Sequence, residues 1–271
     1  TLFSLIRNLT MEQDMIGRVV LVTGASKGIG LACVERFARA GARVVGVSRT
    51  AANLDEASRL LSAKGVSMAT TLAVDLTDAA AAQAMVEQVE REVGPIAVLV
   101  TSAGAARRFG PDELDSAAFH QGMNGKYFSY VNVIAPVVRC MASRNAGAVV
   151  NIIGMAGRSP KAGYICGGAG NASLIAFTQA LGAATQANGV KVVGINPAVT
   201  KTDRMITQAR VNAKLKFGDE ERWAETITGL PFNRPIESDE IADLAVFLAS
   251  PRGVYVNGTV VDVDGGGMWR G

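Results

Sequence analysis

The sequence predicts an α/β fold in which one doubly wound parallel sheet is covered by helices on both faces. Two observations carry that prediction. Short, β-branched apolar runs recur along the chain without the alternation of a half-exposed strand, as strands buried on both faces require. Helical stretches separate these runs one by one, and strands alternating with helices at this rhythm specify a parallel sheet. With 271 residues and 49% hydrophobic content the chain can bury one large core, so a single domain is expected over residues 15–271.

The first run, at 19–22, leads into Thr23-Gly-Ala-Ser-Lys-Gly-Ile-Gly30, and a helix follows over 31–40. Gly24, Gly28 and Gly30 let the backbone turn tightly and approach a pyrophosphate, which then rests on the positive N-terminal end of the helix. A glycine cluster alone also makes ordinary tight turns. Its position between a strand and a helix is what favours a nucleotide. A second strand at 41–48 ends in Ser48-Arg49-Thr50. A carboxylate there would accept from the adenine ribose of NAD. Arg49, with Lys27 in the glycine turn, suits the 2′-phosphate of NADP instead, so NADP is expected over NAD.

The remaining elements follow in order. A helix over 53–64 precedes a strand at 68–74 that closes on Asp75-Leu76-Thr77, and an alanine-rich helix over 79–93 breaks at Gly94-Pro95. A strand at 96–100 closes on Thr101-Ser102-Ala103-Gly104, and a long helical stretch runs over about 116–144, with Pro136 expected to kink or break it. Strands at 148–153 and 190–195 flank a helix over 169–187. Ser238 is expected to open a helix reaching 249, with Asp239 and Glu240 in its first turn. The last strand, 259–263, precedes Asp264-Gly-Gly-Gly267.

Composition narrows the function. A net charge of +3 with scattered basic residues argues against a nucleic-acid surface. No apolar run approaches the roughly 18 residues of a membrane helix, so no membrane partner is expected. Cys33, Cys140 and Cys166 are widely spaced in apolar company, which predicts reduced, buried thiols, a cytoplasmic setting and no metal site. His120 is the single histidine, which rules out a multi-histidine metal site and argues against a Ser-His-Asp hydrolase; a structural role is expected for it. Residues 1–14 are expected to be a loose arm or remnant, with Met11 a natural start.

Over residues 15–267 the chain resembles the short-chain dehydrogenase/reductases. The resemblance rests on Thr23-Gly-Ala-Ser-Lys-Gly-Ile-Gly30, Asp75-Leu-Thr77, Ser102-Ala-Gly104, Asn196-Pro-Ala-Val-Thr-Lys-Thr202 and Val261-Asp-Val-Asp-Gly-Gly266, with Ser102 for the usual Asn and Ala198 for the usual Gly. It implies a Rossmann fold and a cofactor site that includes Ser26, Ile29 and Pro197 beside the glycines. Asp75 and Leu76 would meet the adenine, Ser102, Ala103 and Gly104 would pass beside the cofactor, and Thr202 would reach the nicotinamide carboxamide. It also implies a homotetramer and a helical substrate lid over about 204–232. The apolar side chains of that lid, among them Phe217, Trp223 and Phe232, hint at an apolar small-molecule substrate or simply pack the lid down.

In the family it resembles, a Ser, a Tyr-x-x-x-Lys pair and an earlier Asn carry proton transfer beside the hydride. The lysine matters because an unperturbed tyrosine titrates near pKa ~10 and is a poor base at neutral pH. Here Asn151-Ile-Ile-Gly154 puts Gly154 at the serine, Gly167 at the tyrosine and Asn171 at the lysine, while Lys126 falls at the earlier Asn. The resemblance thus implies an exchange, with Lys126 supplying the ammonium from the other helix, Asn171 opposite it, and Tyr164 offering a displaced phenol. An ordinary solvated lysine and a tyrosine that only walls the pocket are the alternatives. Three functions stay open: an NADP-dependent oxidoreductase with a rearranged site, a cofactor-binding sensor or inactive partner subunit, and a non-redox lyase or isomerase.

Overall fold

Seven strands form the predicted sheet. The computed structural model describes residues 15–104, 106–109 and 111–269, so the arm expected over 1–14 lies outside them. The strands of the main sheet are β1 (Val19–Thr23), β2 (Arg43–Ser48), β3 (Thr70–Ala73), β4 (Ile96–Thr101), β5 (Gly147–Ile152), β6 (Val190–Pro197) and β9 (Val260–Val263). They run in the order β3-β2-β1-β4-β5-β6-β9, and every neighbouring pair is parallel. Between β6 and β9 in sequence, β7 (Thr200–Lys201) and β8 (Ile236–Glu237) form a separate parallel pair. All of β1 and β6 is buried; the apolar run at 19–22 anticipates this for β1, while β6 buries Lys191 and Asn196 as well as its valines.

The helices are α1 (Gly28–Arg39), α2 (Ala51–Ser62), α3 (Ala79–Glu92), α4 (Ser116–Met123), α5 (Ser129–Ser143), α6 (Ile165–Thr185), α7 (Asp203–Phe217) and α8 (Ser238–Ala249). On one face of the sheet α1, α2 and α8 bury Phe37, Leu54, Leu61, Ile241 and Val246. On the other, α3, α5 and α6 bury Val86, Val133, Ile134 and Leu174. Each face removes a continuous apolar layer from water, which is the main stabilising term for a fold of this kind. Among the described residues no helix is long and apolar enough to cross a membrane, and no group of three His, Cys, Asp or Glu side chains can hold a metal.

Several local expectations are corrected. The long helix does not break at Pro136, which is buried inside α5; it is interrupted earlier by a π-turn, Asn124–Phe128. Helix α6 starts at Ile165, ahead of the expected 169. The N-cap of α8 is Glu237, whose side chain forms a capping box with Glu240, while the Ser238 hydroxyl donates to the Lys201 carbonyl. Cys33 and Cys166 are buried, but Cys140 is only half-buried. Burial pushes the Cys33 thiol up to about 12. His120 is exposed on α4 and is not a buried structural histidine.

Candidate active site

Strand order reverses between β1 and β4, and in a sheet of this topology a crevice opens there beyond the carboxyl ends of the strands. Thr23, at the end of β1, accepts hydrogen bonds through its hydroxyl from the backbone N–H of Ser102 (3.1 Å) and Ala103 (3.2 Å), knitting the glycine turn to the end of β4. A Cβ on Gly24 would lie 2.9 Å from the Ser102 and Ala103 backbone, and one on Gly30 would lie 2.1 Å from the Gly24 carbonyl oxygen. Gly28, at φ +54°, begins α1, and a Cβ there would sit 3.0 Å from the Thr202 methyl. Such close approach leaves backbone N–H groups uncovered at a helix N-terminus, a cradle that fits a pyrophosphate.

Toward β2 and β3 the Ser26 hydroxyl donates to that of Ser48 at 3.1 Å. Lys27 and Arg49 are exposed nearby, neither within ion-pair distance of a carboxylate among the described residues. Asp75 is also exposed. The N–H and hydroxyl of Thr77 (3.0 and 2.8 Å) hold its carboxyl below the usual carboxylate range, and the charge of Arg49 adds to this. Leu76 is buried, and its carbonyl accepts from the Asn132 amide at 3.0 Å.

Two adjoining cavities of about 810 and 920 Å³ occupy the other end of the crevice and share Gly154, Tyr164, Pro197 and Leu230 as a common wall. Ile29, Ser102, Gly104, Lys126 and Thr202 line the first; Asn171 lines the second. Lys126 sits on the π-turn and is only 5% exposed. Its ammonium donates to the Ile153 carbonyl at 3.0 Å and to the Tyr130 hydroxyl at 3.4 Å, and Tyr130 in turn donates to the Ile152 carbonyl. Two glycines make room for this pair: a Cβ on Gly170 would meet the Lys126 stem at 3.0 Å, and one on Gly104 would meet the Tyr130 ring at 2.8 Å. Burial, with Arg204 adding like charge, draws the Lys126 ammonium down to about 7. Burial, with Tyr164 nearby, raises Tyr130 above its ordinary value and keeps it a donor.

On the facing helix the Asn171 amide donates to the Gly154 carbonyl at 3.2 Å, and its Oδ1 is buried without a partner. Gly154 has φ +122°, a conformation that side-chain-bearing residues rarely adopt, and a Cβ there would stand 3.2 Å from the Asn171 amide nitrogen. A buried chain of hydrogen bonds fixes α6 against the sheet: Thr101 to Asn151 at 2.7 Å, and Asn151 to Thr178 at 2.9 Å. The loop carrying Tyr164 is tied down by an ion pair between Arg158 and Asp262 at 2.8 Å. Tyr164 then folds back over the start of α6. A Cβ on Gly167 would fall 2.0–2.4 Å from three atoms of the Tyr164 ring, so the phenol ring occupies the space into which a side chain at 167 would grow.

Lys126, Gly154, Tyr164 and Asn171 therefore converge on the two cavities, whereas Ser26, Lys27, Ser48, Arg49, Asp75 and Leu76 lie outside them, toward β2 and β3. The sequence reading missed Tyr130. Its signal was Lys126-x-x-x-Tyr130, a spacing that puts both side chains on one helical face. It also missed Arg108 and Arg204, which line the first cavity and carry no sequence motif. Lid residues that reach that cavity include Met205, Gln208, Ala209, Asn212, Thr226 and Leu230, while Phe217 packs beneath Arg222 and Phe232 is exposed at the second cavity.

A family model described as short chain dehydrogenase matches residues 18–212. Galactitol 2-dehydrogenase (L-tagatose-forming) of Cereibacter sphaeroides is 35% identical over 252 residues, covering 92% of this chain and 94% of its own. The 3-oxoacyl-[acyl-carrier-protein] reductase FabG of Vibrio harveyi is 30% identical over 253 residues, covering 93% and 98%. The crystal structure of L-sorbose reductase from Gluconobacter frateurii complexed with NADPH and L-sorbose superposes with a TM-score of 0.86 at 29% identity, covering 94% of this chain and 97% of that one. Matched in sequence and in fold over nearly its whole length, the chain belongs to the short-chain dehydrogenase/reductase family.

Proposed function

We propose that this chain is an NADP-dependent oxidoreductase acting on a small carbonyl or alcohol through a rearranged proton-transfer site. The observation that carries the proposal is the Tyr164 ring, which fills the side-chain space of Gly167, the position at which the family motif has its tyrosine. The relatives support the chemistry: those above are named for a polyol, a sugar and a 3-oxoacyl-[acyl-carrier-protein], and the sorbose reductase was solved with NADPH.

When bound, the dinucleotide supplies or accepts a hydride at the substrate carbon. Gly24, Gly28 and Gly30 hold its pyrophosphate, Lys27, Ser48 and Arg49 its 2′-phosphate, and Asp75 its adenine. The orphan Oδ1 of Asn171 suits a hydroxyl donor of the nicotinamide ribose. In the reducing direction the Tyr164 phenol gives its proton to the substrate oxygen. The Lys126 ammonium, steadied by Tyr130 and the Ile153 carbonyl, stabilises the negative charge that develops there. The assembly we infer is a homotetramer paired through α4–α5 and α6, and Phe119 and Phe128 expose large rings near that face.

Calorimetry with NADPH and NADH, followed by NADPH oxidation against a panel of sugars, oxo acids and ketones, tests the proposal. NADPH should bind more tightly than NADH and be turned over by at least one carbonyl. Arg49→Ala should weaken NADPH by about 10- to 100-fold, the loss of a charge-assisted contact, while sparing NADH. Binding without turnover would make the chain a cofactor-binding sensor or partner subunit. No binding of either nucleotide would remove both readings.

A further inference from the structure

The first cavity has an uneven charge. Four cationic side chains line it, Arg107, Arg108, Lys126 and Arg204, and among the described residues no Asp or Glu does. Arg107 is committed elsewhere, to Glu113 at 3.1 Å and to the face of Phe109. Arg108 and Arg204 have no carboxylate partner among the described residues. Arg36, Arg144, Arg158, Arg222 and Arg234, by contrast, each meet a carboxylate at 2.7–2.8 Å.

The two free guanidinium groups are also placed with respect to the proposed chemistry. Arg108 lies over the Tyr164 ring, its Cζ 5.8 Å from the centroid. Arg204 stands in the first turn of α7, where the helix dipole adds the same sign, and is near enough to Lys126 to act on its charge. Lys126 itself is nine-tenths buried and has two acceptors for three N–H groups, leaving one donor without a partner beside the cavity. Arg108 and Arg204 are exposed where they line the cavity, and like charges gathered there beside the buried Lys126 ammonium repel one another until an anion enters. The planar fork of arginine matches a carboxylate with two parallel hydrogen bonds.

We infer that the substrate carries a free carboxylate, held by Arg108 and Arg204 at the cavity while its carbonyl or alcohol faces Tyr164 and Lys126. This rests on the oxidoreductase reading above for the second half of that statement only. Met205, Ala209 and Leu230 add apolar surface to a lining that also holds Gln208, Asn212 and Thr226, which leaves room for a short carbon chain between the two polar ends.

Binding to the NADP⁺-loaded protein separates the two readings, because an oxo compound meets no hydride donor there and binding is seen without turnover. The probes are 2-oxopentanoate and 4-oxopentanoate against their methyl esters, measured by calorimetry. At least one acid should bind about 10-fold or more tightly than its ester, and the preference should vanish in Arg108→Met/Arg204→Met. NADPH affinity should stay within about twofold of the parent, since neither arginine is assigned to the cofactor. Equal binding of acids and esters, no binding of either acid, or a preference that survives the double variant would overturn the inference. So would a loss of NADPH affinity in step with acid affinity, which would give the arginines to the cofactor phosphates. An acid preference in a protein that oxidises NADPH with no oxo compound upholds the anion site and removes the oxidoreductase reading. Oxidation of NADPH with esters as fast as with acids, and no binding preference, does the reverse.

Discussion

Lys126 is a charge held where water is scarce, and its surroundings explain both its cost and its use. Its stem passes Gly170, its ammonium reaches a carbonyl and a phenol, and among the described residues no carboxylate pairs with it. Drawn down to about 7 in the folded chain, it titrates near its ordinary value of about 10.4 once unfolded. Between those two values the unfolded state binds the extra proton, so the penalty is full below pH 7 and is relieved as pH rises. Stability against urea should therefore climb from about pH 7 to pH 9, and Lys126→Met should flatten that climb and raise stability at pH 6.5. Lys191, drawn down to about 8 by burial, contributes the same sign and remains in both proteins, so a residual slope is expected. Parallel curves for parent and variant would show that Lys126 holds its proton as readily in the fold as in the unfolded chain, and that burial does not draw it down. Counting along the sequence was enough to place Gly154, Gly167, Asn171 and Lys126 against one another. The return of the Tyr164 ring was not legible, because it depends on a short turn at Ala162–Tyr164 and on an ion pair from Arg158 to a distant strand.

At the scale of elements, the start of α6 controls that ring. Gly167→Ala adds one methyl group that would stand 2.0–2.4 Å from the phenol, so Tyr164 must leave its place. An alanine inside a helix is otherwise favourable by up to about 1 kcal/mol relative to glycine. The variant should thus fold as well as the parent and bind NADPH as tightly, yet lose turnover to the extent that Tyr164→Phe does. Full activity in Gly167→Ala would separate the ring from the chemistry. Strands such as β1 and β4 were legible because burial on both faces forces a nearly unbroken apolar run. The two-residue pair β7–β8 leaves no period to read. The interruption of the long helix was missed for a related reason: Pro136 is the conspicuous breaker in sequence, but it is buried within α5, and the π-turn falls beside Gly122 and Gly125, where α4 packs closely on α6 through Cys166. A π-turn re-aims the side chains that follow it, and this one carries Lys126.

For the whole molecule, the parallel order β3-β2-β1-β4-β5-β6-β9 puts every loop that bears a site residue at the carboxyl ends of the strands. The glycine turn follows β1, Arg49 follows β2, Asp75 follows β3, Ser102 follows β4, Gly154 follows β5 and Thr202 follows β6. A change in which helix carries the cation would leave this frame untouched: the π-turn packs directly on α6, where a Cβ on Gly170 would meet the Lys126 stem at 3.0 Å, so an ammonium and an amide could trade helices without moving the sheet. The fold class was therefore open to a reader of the sequence. The charge of the cavity was not, since Arg107, Arg108 and Arg204 come from two distant segments and only the fold brings them to one wall.

The most direct measurement is the turnover number for NADPH oxidation, with whichever carbonyl the parent reduces best, in the parent, Lys126→Met and Tyr164→Phe. A site in which Lys126 and Tyr164 replace the usual motif requires each variant to lose roughly 10²-fold or more in kcat, the scale of a proton-transfer or charge-stabilising group, with NADPH affinity within about twofold of the parent. Variants that turn over as fast as the parent would contradict it.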